Sequence, residues 1–222
     1  MENKAMTDVE ALKFQMLHQR STKARFNTGM SPDRLYLYLL AGVQAEVESR
    51  HREFVMNDEL EDQLTQMAGW LSSEGSRFGQ VLCGGCGTGK STLLRAFQRV
   101  LNLLAIPNPL DGNRPFGIRI EDSKDIARLC KSDYGSFRKL AMTPILGIDD
   151  LGVEPSEIMD FGNVLTPMSD LLSIRYDYQL TTILTTNLSP ASIRERYGDR
   201  IADRLNEMVG KIIYKNASYR AG

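Results

Sequence analysis

Residues 80–91 read Gln80-Val81-Leu82-Cys83-Gly84-Gly85-Cys86-Gly87-Thr88-Gly89-Lys90-Ser91, and this stretch decides the fold. Its second half fits G-x-x-x-x-G-K-[ST], the loop that wraps a phosphate chain. An apolar run stands before it. Behind it, Thr92 to Leu104 carries Leu93, Leu94, Phe97, Val100, Leu101 and Leu104 at helical spacing. The order is therefore buried strand, glycine-rich turn, helix. The glycines let the backbone curl so that successive N–H groups point inward, and the helix N-terminus adds its positive dipole end. In that geometry Gly84, Gly85, Cys86, Gly87, Thr88, Gly89, Lys90, Ser91 and Thr92 cradle a nucleoside triphosphate. Lys90 reaches the β- and γ-phosphates and the Ser91 hydroxyl sits on Mg²⁺.

A second anchor lies sixty residues on. Pro144-Ile145-Leu146-Gly147-Ile148-Asp149-Asp150-Leu151-Gly152 is an apolar strand ending in two carboxylates, the Walker B pattern. A continuous apolar run marks a strand buried on both faces, and ligands bind at the C-terminal ends of such strands in an open parallel sheet. Asp149 is placed to complete the Mg²⁺ shell. Asp150 is placed to orient and deprotonate an attacking water. Many ATPases carry Glu there; Asp is one methylene shorter, so hydrolysis is expected either to be slow or to need a neighbouring group to perfect the geometry.

The bulk numbers describe an ordinary soluble α/β domain with a modest appendage: 222 residues, 42% hydrophobic, 25% charged, formal net charge −1. No global charge advertises nucleic acid, so any such binding comes from a local patch. There is no apolar run of membrane-spanning length, and Met1 to Glu10 lacks the apolar core of a signal peptide, so a cytoplasmic protein is expected. Cys83-x-x-Cys86 has the spacing of half a zinc or redox site. It lies inside the phosphate loop, however, with no second cysteine pair, and small residues packing the strand end are the expectation.

Ahead of the loop, Thr7-Asp8-Val9-Glu10 reads as a capping box opening a helix with Val9, Leu12, Met16 and Leu17 on one face. Arg20 to Arg25 is basic, either a solvated linker or a functional arm. Ser31-Pro32-Asp33 starts a second helix, too apolar over Leu35 to Leu40 to stand free. Asn57-Asp58 caps a third, with Leu60, Leu64, Met67, Ala68 and Leu71 in register. Beyond the loop, Phe116 to Ile120 reads as a strand. Ser123 to Cys130 and Gly135 to Met142 read as short helices carrying Lys124, Arg128, Lys131, Arg138 and Lys139, with Tyr134 and Phe137 among them. Basic residues interleaved with aromatics suit single-stranded nucleic acid; diluted by Glu121, Asp122, Asp125 and Asp133, they equally suit a mixed-charge helical face. A long helix is expected over roughly Ser156 to Tyr176. A strand follows over Leu180 to Thr186, ending in Asn187, whose amide is placed for the lytic water or the γ-phosphate. Ser189-Pro190 opens a helix to Tyr197-Gly198. Next, Asp199 to Met208 sets Arg200 and Arg204 on one face, as surface ion pairs or as anion readers. Val209 to Asn216 is the last strand, and Arg220 follows in Ala217-Ser218-Tyr219-Arg220.

Taken in order, GGCGTGKS, the GIDDLG strand end, TTN, the YGDRIADRL helix and the terminal SYR resemble the bacterial DnaC/DnaI-type AAA+ replicative helicase loaders, a group similar to the IstB-type transposition helper ATPases. The resemblance covers about Phe54 to Arg220. It implies an α/β P-loop NTPase of the AAA+ type, with a parallel-sheet core at 54–222 and a short helical extension at 1–53 as the partner-docking segment. It implies Asn187 as the sensor-1 residue, and Arg204 with Arg200 beside it as the arginine finger acting on a neighbouring subunit's ATP. Arg220 takes the sensor-2 role. It further implies ATP and Mg²⁺ as cofactors, and as partners the replicative DNA helicase, single-stranded DNA and further copies of the chain. Leu35 to Val47 is the candidate helicase-docking helix.

Three other readings stand beside the loader. One is a transposition helper ATPase. A second is a nucleotide-switched adaptor with little hydrolysis, which Asp150 in place of Glu allows. The third, a P-loop small-molecule kinase, requires an arginine-bearing lid, and no such insert is legible between the acidic strand and the TTN strand.

Overall fold

The computed structural model describes residues 2–18, 26–73, 75, 77–108 and 114–219, with 2–7, 17 and 18 described by backbone alone. The first helix, α1, runs Glu2–His18. Thr7 is therefore interior to it and not its cap, because Glu2, Lys4, Ala5 and Met6 favour helix and carry it past the threonine. Val9, Leu12, Phe14 and Met16 on α1 are exposed.

Helix α2, Pro32–Glu48, begins at Ser31 with Pro at its first position, as the sequence requires. Its apolar stripe Leu35, Leu39 and Val43 turns inward onto α3, Asp58–Ser72, and onto the helix behind the phosphate loop. The Asn57 side chain caps α3 by accepting from the Leu60 N–H. Strand β1, Gly79–Gly84, then enters the loop, and α4, Lys90–Leu104, leaves it. Gly42 on α2 lets the two helices close: a Cβ there would lie 2.9 Å from Val100 Cγ2 of α4. Glu46 one turn on joins Arg50 and Arg99, the latter on α4.

The second strand, β2, is Arg119–Asp122, later than the Phe116 to Ile120 expected. Ile118 is buried, but its carbonyl accepts from the Gln98 side chain and not from a strand, so the apolar residues precede the paired ones. Helices α5, Ser123–Ser132, and α6, Tyr134–Ala141, follow, capped by the Asp122 and Asp133 carboxylates. Strand β3 is Ile145–Leu151.

The stretch Ser156 to Tyr176 is not one helix. It forms a hairpin, β4 Ile158–Asp160 and β5 Asn163–Leu165, and then α7, Pro167–Asp177. Phe161 and Gly162 make its two-residue turn with both φ angles positive, the backbone that suits the strand twist. Phe161 stands fully exposed at the tip, with Met159 and Val164 exposed beside it. An insert therefore does lie between the acidic strand and the TTN strand, but none of its residues is basic.

Strand β6, Thr181–Thr186, helix α8, Pro190–Met208, and strand β7, Val209–Tyr214, complete the chain's elements. Helix α8 changes direction at Gly198, where φ is 81° and ψ 167°.

The five-stranded sheet has the order β2-β3-β6-β1-β7 and is parallel throughout. Alternate residues serve its two layers. Leu82, Ile145, Ile183 and Ile212 face α2, α3 and α4; Val81, Leu146, Ile148, Leu184 and Val209 face the layer of α5 to α8. This two-sided cover aligns the C-terminal ends of β1, β3 and β6 along one rim. Among the described residues no helix is long and apolar enough to cross a membrane.

Candidate nucleotide-binding site

The phosphate loop leaves β1 at Gly84, where a Cβ would lie 2.4 Å from the Tyr214 carbonyl oxygen, so only glycine passes the neighbouring strand. Gly89 reverses the chain at φ 100° to open α4. Lys90, the first residue of that helix, is 5% exposed. Its ammonium donates to Gly84 O at 2.9 Å, Gly85 O at 2.6 Å and Asn187 Oδ1 at 2.8 Å. Burial lowers its pKa, opposed by Cys86, Asp150, Cys83 and Asp149 nearby. The cation is thus already folded over the loop, held by acceptors that phosphate oxygens replace. The structure brings the sequence-predicted Asn187 directly to Lys90, from the end of the adjacent strand β6.

Ser91 and Asp149 also meet. The Ser91 hydroxyl donates to Asp149 Oδ1 at 2.7 Å, and Arg95, one turn along α4, donates to Asp149 Oδ2 at 3.1 Å. A hydroxyl beside a carboxylate, at the lip of a phosphate loop, is the oxygen pair that Mg²⁺ takes when phosphate oxygens and water fill its remaining positions. Among the described residues there is no cluster of three His, Cys, Asp or Glu that could hold a metal by itself. Ser91 and Asp149 are the residues that would hold a magnesium ion here, together with a nucleotide.

The two carboxylates separate because β3 bulges between them. Ile148 pairs with Leu184 and Leu151 with Thr186, so Asp149 and Asp150 together oppose Thr185 alone. Asp150 takes φ 56°, the left-handed region that aspartate tolerates. Thr185 holds both halves of the bulge: its hydroxyl donates to Asp149 Oδ1 at 2.6 Å and accepts from the Asp150 N–H at 2.8 Å. The buried Ser123 hydroxyl donates to Asp150 O at 2.7 Å from the start of α5. Neither Thr185 nor Arg95 was singled out by the sequence reading. The available signal for Thr185 is a polar residue in a strand whose every position is buried.

Thr185→Val keeps the shape and removes the hydroxyl. The stranded Asp150 N–H then costs about 1–3 kcal/mol, a fall of about 5 °C in melting temperature. With the bulge loosened, ATP turnover falls about tenfold while ATP affinity stays within about twofold. Calorimetry and steady-state kinetics check both.

The remaining expected residues lie elsewhere. Arg204 is held within its own chain: Nη2 meets Asp177 Oδ1 at 3.2 Å, and its guanidinium lies over the Tyr176 ring at 4.8 Å. Arg200, on the same helix past the Gly198 bend, is exposed. Arg220 lies outside the described residues. Just before it, the Tyr219 N–H donates to Gly87 O at 2.9 Å and Asn216 Nδ2 to Thr88 O at 3.1 Å, so the chain's end straps the loop. Cys83 packs at the strand end with its thiol on Ile212 O, and Asn187 Nδ2 reaches Cys86 Sγ. Of the interleaved aromatics, Phe137 is core and Tyr134 is exposed, stacked on it at 5.7 Å; Lys124, Arg128, Lys131, Arg138 and Lys139 are exposed.

The fold recurs in solved structures. A DnaC helicase loader superposes with a TM-score of 0.56 at 23% identity, over 73% of this chain and 94% of that one. DnaI does so with 0.56 at 19%, over 75% and 87%. The chain shares the fold of these two proteins. A protein from Streptococcus pyogenes serotype M3 described as a primosome component adds a TM-score of 0.54 at 20% identity, over 81% and 98%. No family model and no curated protein matches the sequence. At these identities the likeness speaks for the fold alone, and the chemistry of the site rests on its own geometry.

Proposed function

We propose that this chain is an ATP-driven loader that places a replicative DNA helicase on single-stranded DNA. The observation that carries the reading is the pair of contacts Lys90–Asn187 and Ser91–Asp149, set side by side at the ends of three adjacent parallel strands. They lie within a fold shared with a DnaC helicase loader. ATP binds with its phosphates in the loop from Gly84 to Thr92. Bound Mg²⁺ supplies charge neutralisation at the phosphates, and Ser91 and Asp149 are the residues that hold it. Asp150 orients and deprotonates the water, and Asn187 reads the γ-phosphate position beside Lys90.

The site is completed by a neighbouring copy. Of the two arginines of α8 beyond its bend at Gly198, Arg204 is engaged with Asp177 and Tyr176, whereas Arg200 is exposed. Arg200 is therefore the finger in this proposal, and Arg204 fastens α8 to α7. A cation entering beside the γ-phosphate stabilises transition-state charge and ties assembly to ATP. Arg220 is assigned the sensor-2 role. Residues 1–53 dock the helicase. Within them α2 directs Leu35, Leu39 and Val43 into the core, so the exposed Val9, Leu12, Phe14 and Met16 of α1 are the docking residues proposed. Single-stranded DNA is assigned to the exposed basic residues of α5 and α6 with Tyr134.

Light scattering checks the assembly: ATP with single-stranded DNA converts the protein to a higher oligomer, ADP does not, and Arg200→Ala abolishes the conversion. A pull-down distinguishes the loader from a transposition helper. Capture of the replicative helicase supports the loader, and capture of a transposase alone overturns it. Steady-state turnover of Asp150→Asn separates the ATPase from a non-hydrolysing adaptor, since an unchanged rate removes Asp150 from catalysis.

A further inference from the structure

Glu154 is 1% exposed, yet it lies only four residues beyond Asp150. Its Oε2 accepts from the Gly152 N–H at 2.8 Å. Its Oε1 accepts from the Tyr197 hydroxyl and lies 3.7 Å from Arg196 Nε, and its own carbonyl accepts from Arg196 Nη2. The carboxylate therefore joins two places that the sequence keeps far apart. One is the turn that follows the acidic strand, closed by Val153 N–H to Asp150 O at 3.3 Å. The other is the last residue of α8 before it bends at Gly198. Both ends are tightly fitted. Gly152 has φ +105°, and a Cβ there would lie 2.5 Å from the Leu188 side chain, next to Asn187. Tyr197 is buried, and its phenol is held firmly protonated by that burial and by the Glu154 carboxylate.

We infer that Glu154 is a positioning residue that fixes the bend of α8 relative to the acidic turn, and so aims Arg200 at the neighbouring subunit's nucleotide. The inference rests on the proposed role of Arg200 in trans. A buried carboxylate with this many partners is costly to leave half-satisfied, which makes the joint rigid. Beyond it, Asp199 to Met208 is held by Arg194 on Asp199 and Asp203, by Arg204 on Asp177 and by the buried Ile201, Leu205 and Met208, so the Glu154 joint fixes the near side of the bend from which Arg200 departs. Glu154 touches neither Lys90, Ser91 nor Asp149 among the contacts described.

The test mixes subunits. Glu154→Gln preserves volume and removes the charge that Arg196 and Tyr197 meet; Tyr197→Phe is a milder break at the same joint, for use should the first variant not fold. Either variant alone binds a fluorescent ATP analogue as the wild type does, but its assembled turnover falls about 10- to 100-fold, the effect of a displaced catalytic group. Asp150→Asn, which keeps Arg200 and the joint, is then added. Its subunits offer well-aimed arginines to the intact sites of the Glu154→Gln subunits, and turnover of the mixture rises well above the sum of the parts. Arg200→Ala mixed with Asp150→Asn is the reference. If the reference mixture fails to recover, the trans reading itself is overturned. If the reference recovers and the Glu154→Gln and Tyr197→Phe mixtures do not, Glu154 acts on its own subunit's site and the positioning inference is overturned.

Discussion

Replacing Lys90 by alanine is expected to weaken ATP binding about 100-fold or more and to bring hydrolysis to background. Among the described residues its ammonium is the one side-chain cation hydrogen-bonded within the loop, and each charge-assisted bond it makes to a phosphate oxygen contributes about 1.5–3 kcal/mol. The variant folds. The carbonyls of Gly84 and Gly85 that the ammonium now occupies lie at a loop lip where water takes its place, and losing a charge that burial disfavours offsets part of the loss. Its melting temperature stays within about 3 °C of the parent's. Lys90→Arg does not rescue, because a planar guanidinium does not fit where a compact ammonium meets three acceptors at once. Titration with a fluorescent ATP analogue and a thermal melt, taken together, separate this loss of function from a loss of fold.

The largest effect on stability is expected at Arg175, far from the nucleotide. Arg175 is fully buried, yet its partners among the described residues are a hydroxyl and three carbonyls and no carboxylate. Its Nε donates to Thr182 Oγ1 at 2.8 Å, Nη1 to Ala141 O at 3.0 Å and Thr143 O at 2.9 Å, and Nη2 to Thr181 O at 2.5 Å. Burial pulls its pKa down, but the fork of acceptors keeps the guanidinium charged at neutral pH. One side chain thereby pins the end of α7, the approach to β3 and the start of β6. Arg175→Met leaves three carbonyls and a hydroxyl without a donor, and unfolding becomes easier by about 3–5 kcal/mol, a fall of about 10 °C. Arg175→Lys recovers part of this, since it keeps the charge with fewer donors. A denaturant or thermal melt of the three proteins measures both steps. Methionine equal to arginine would show the carbonyls to be hydrated in the folded state.

The chemistry was legible in the sequence wherever it is written as a contiguous motif. Gly84 to Ser91 declares a strand, a turn and a helix in one run, and Asp149 ends an apolar strand whose burial needs no partner to be inferred. Asn187 is legible for the same reason, as the polar terminus of a buried strand. Contacts between segments left no such mark. Thr185 orders the acidic bulge through a register shift that only strand pairing reveals, and Glu154 reaches Tyr197 across forty-three positions. The helix expected over Ser156 to Tyr176 failed at Phe161-Gly162, where a two-residue turn folds an alternating Ile158 to Leu165 back on itself; Pro167 then starts the real helix. Arg204, which the resemblance makes the finger with Arg200 beside it, lies on Tyr176 and Asp177, contacts that helical spacing does not reveal. Within the described residues, the layers and the strand ends follow from hydrophobic periodicity, while the ties that make them a site come from tertiary contacts.

On the proposed function each ATP site in this chain is half of a catalytic unit, finished by Arg200 of another copy. Turnover per subunit is to be measured at saturating ATP across a wide range of protein concentration. It is expected to rise at least about tenfold as subunits assemble, and to stay flat and low for Arg200→Ala over the same range. A wild-type turnover that stays constant from the most dilute sample to the most concentrated, equal to that of Arg200→Ala, would contradict it.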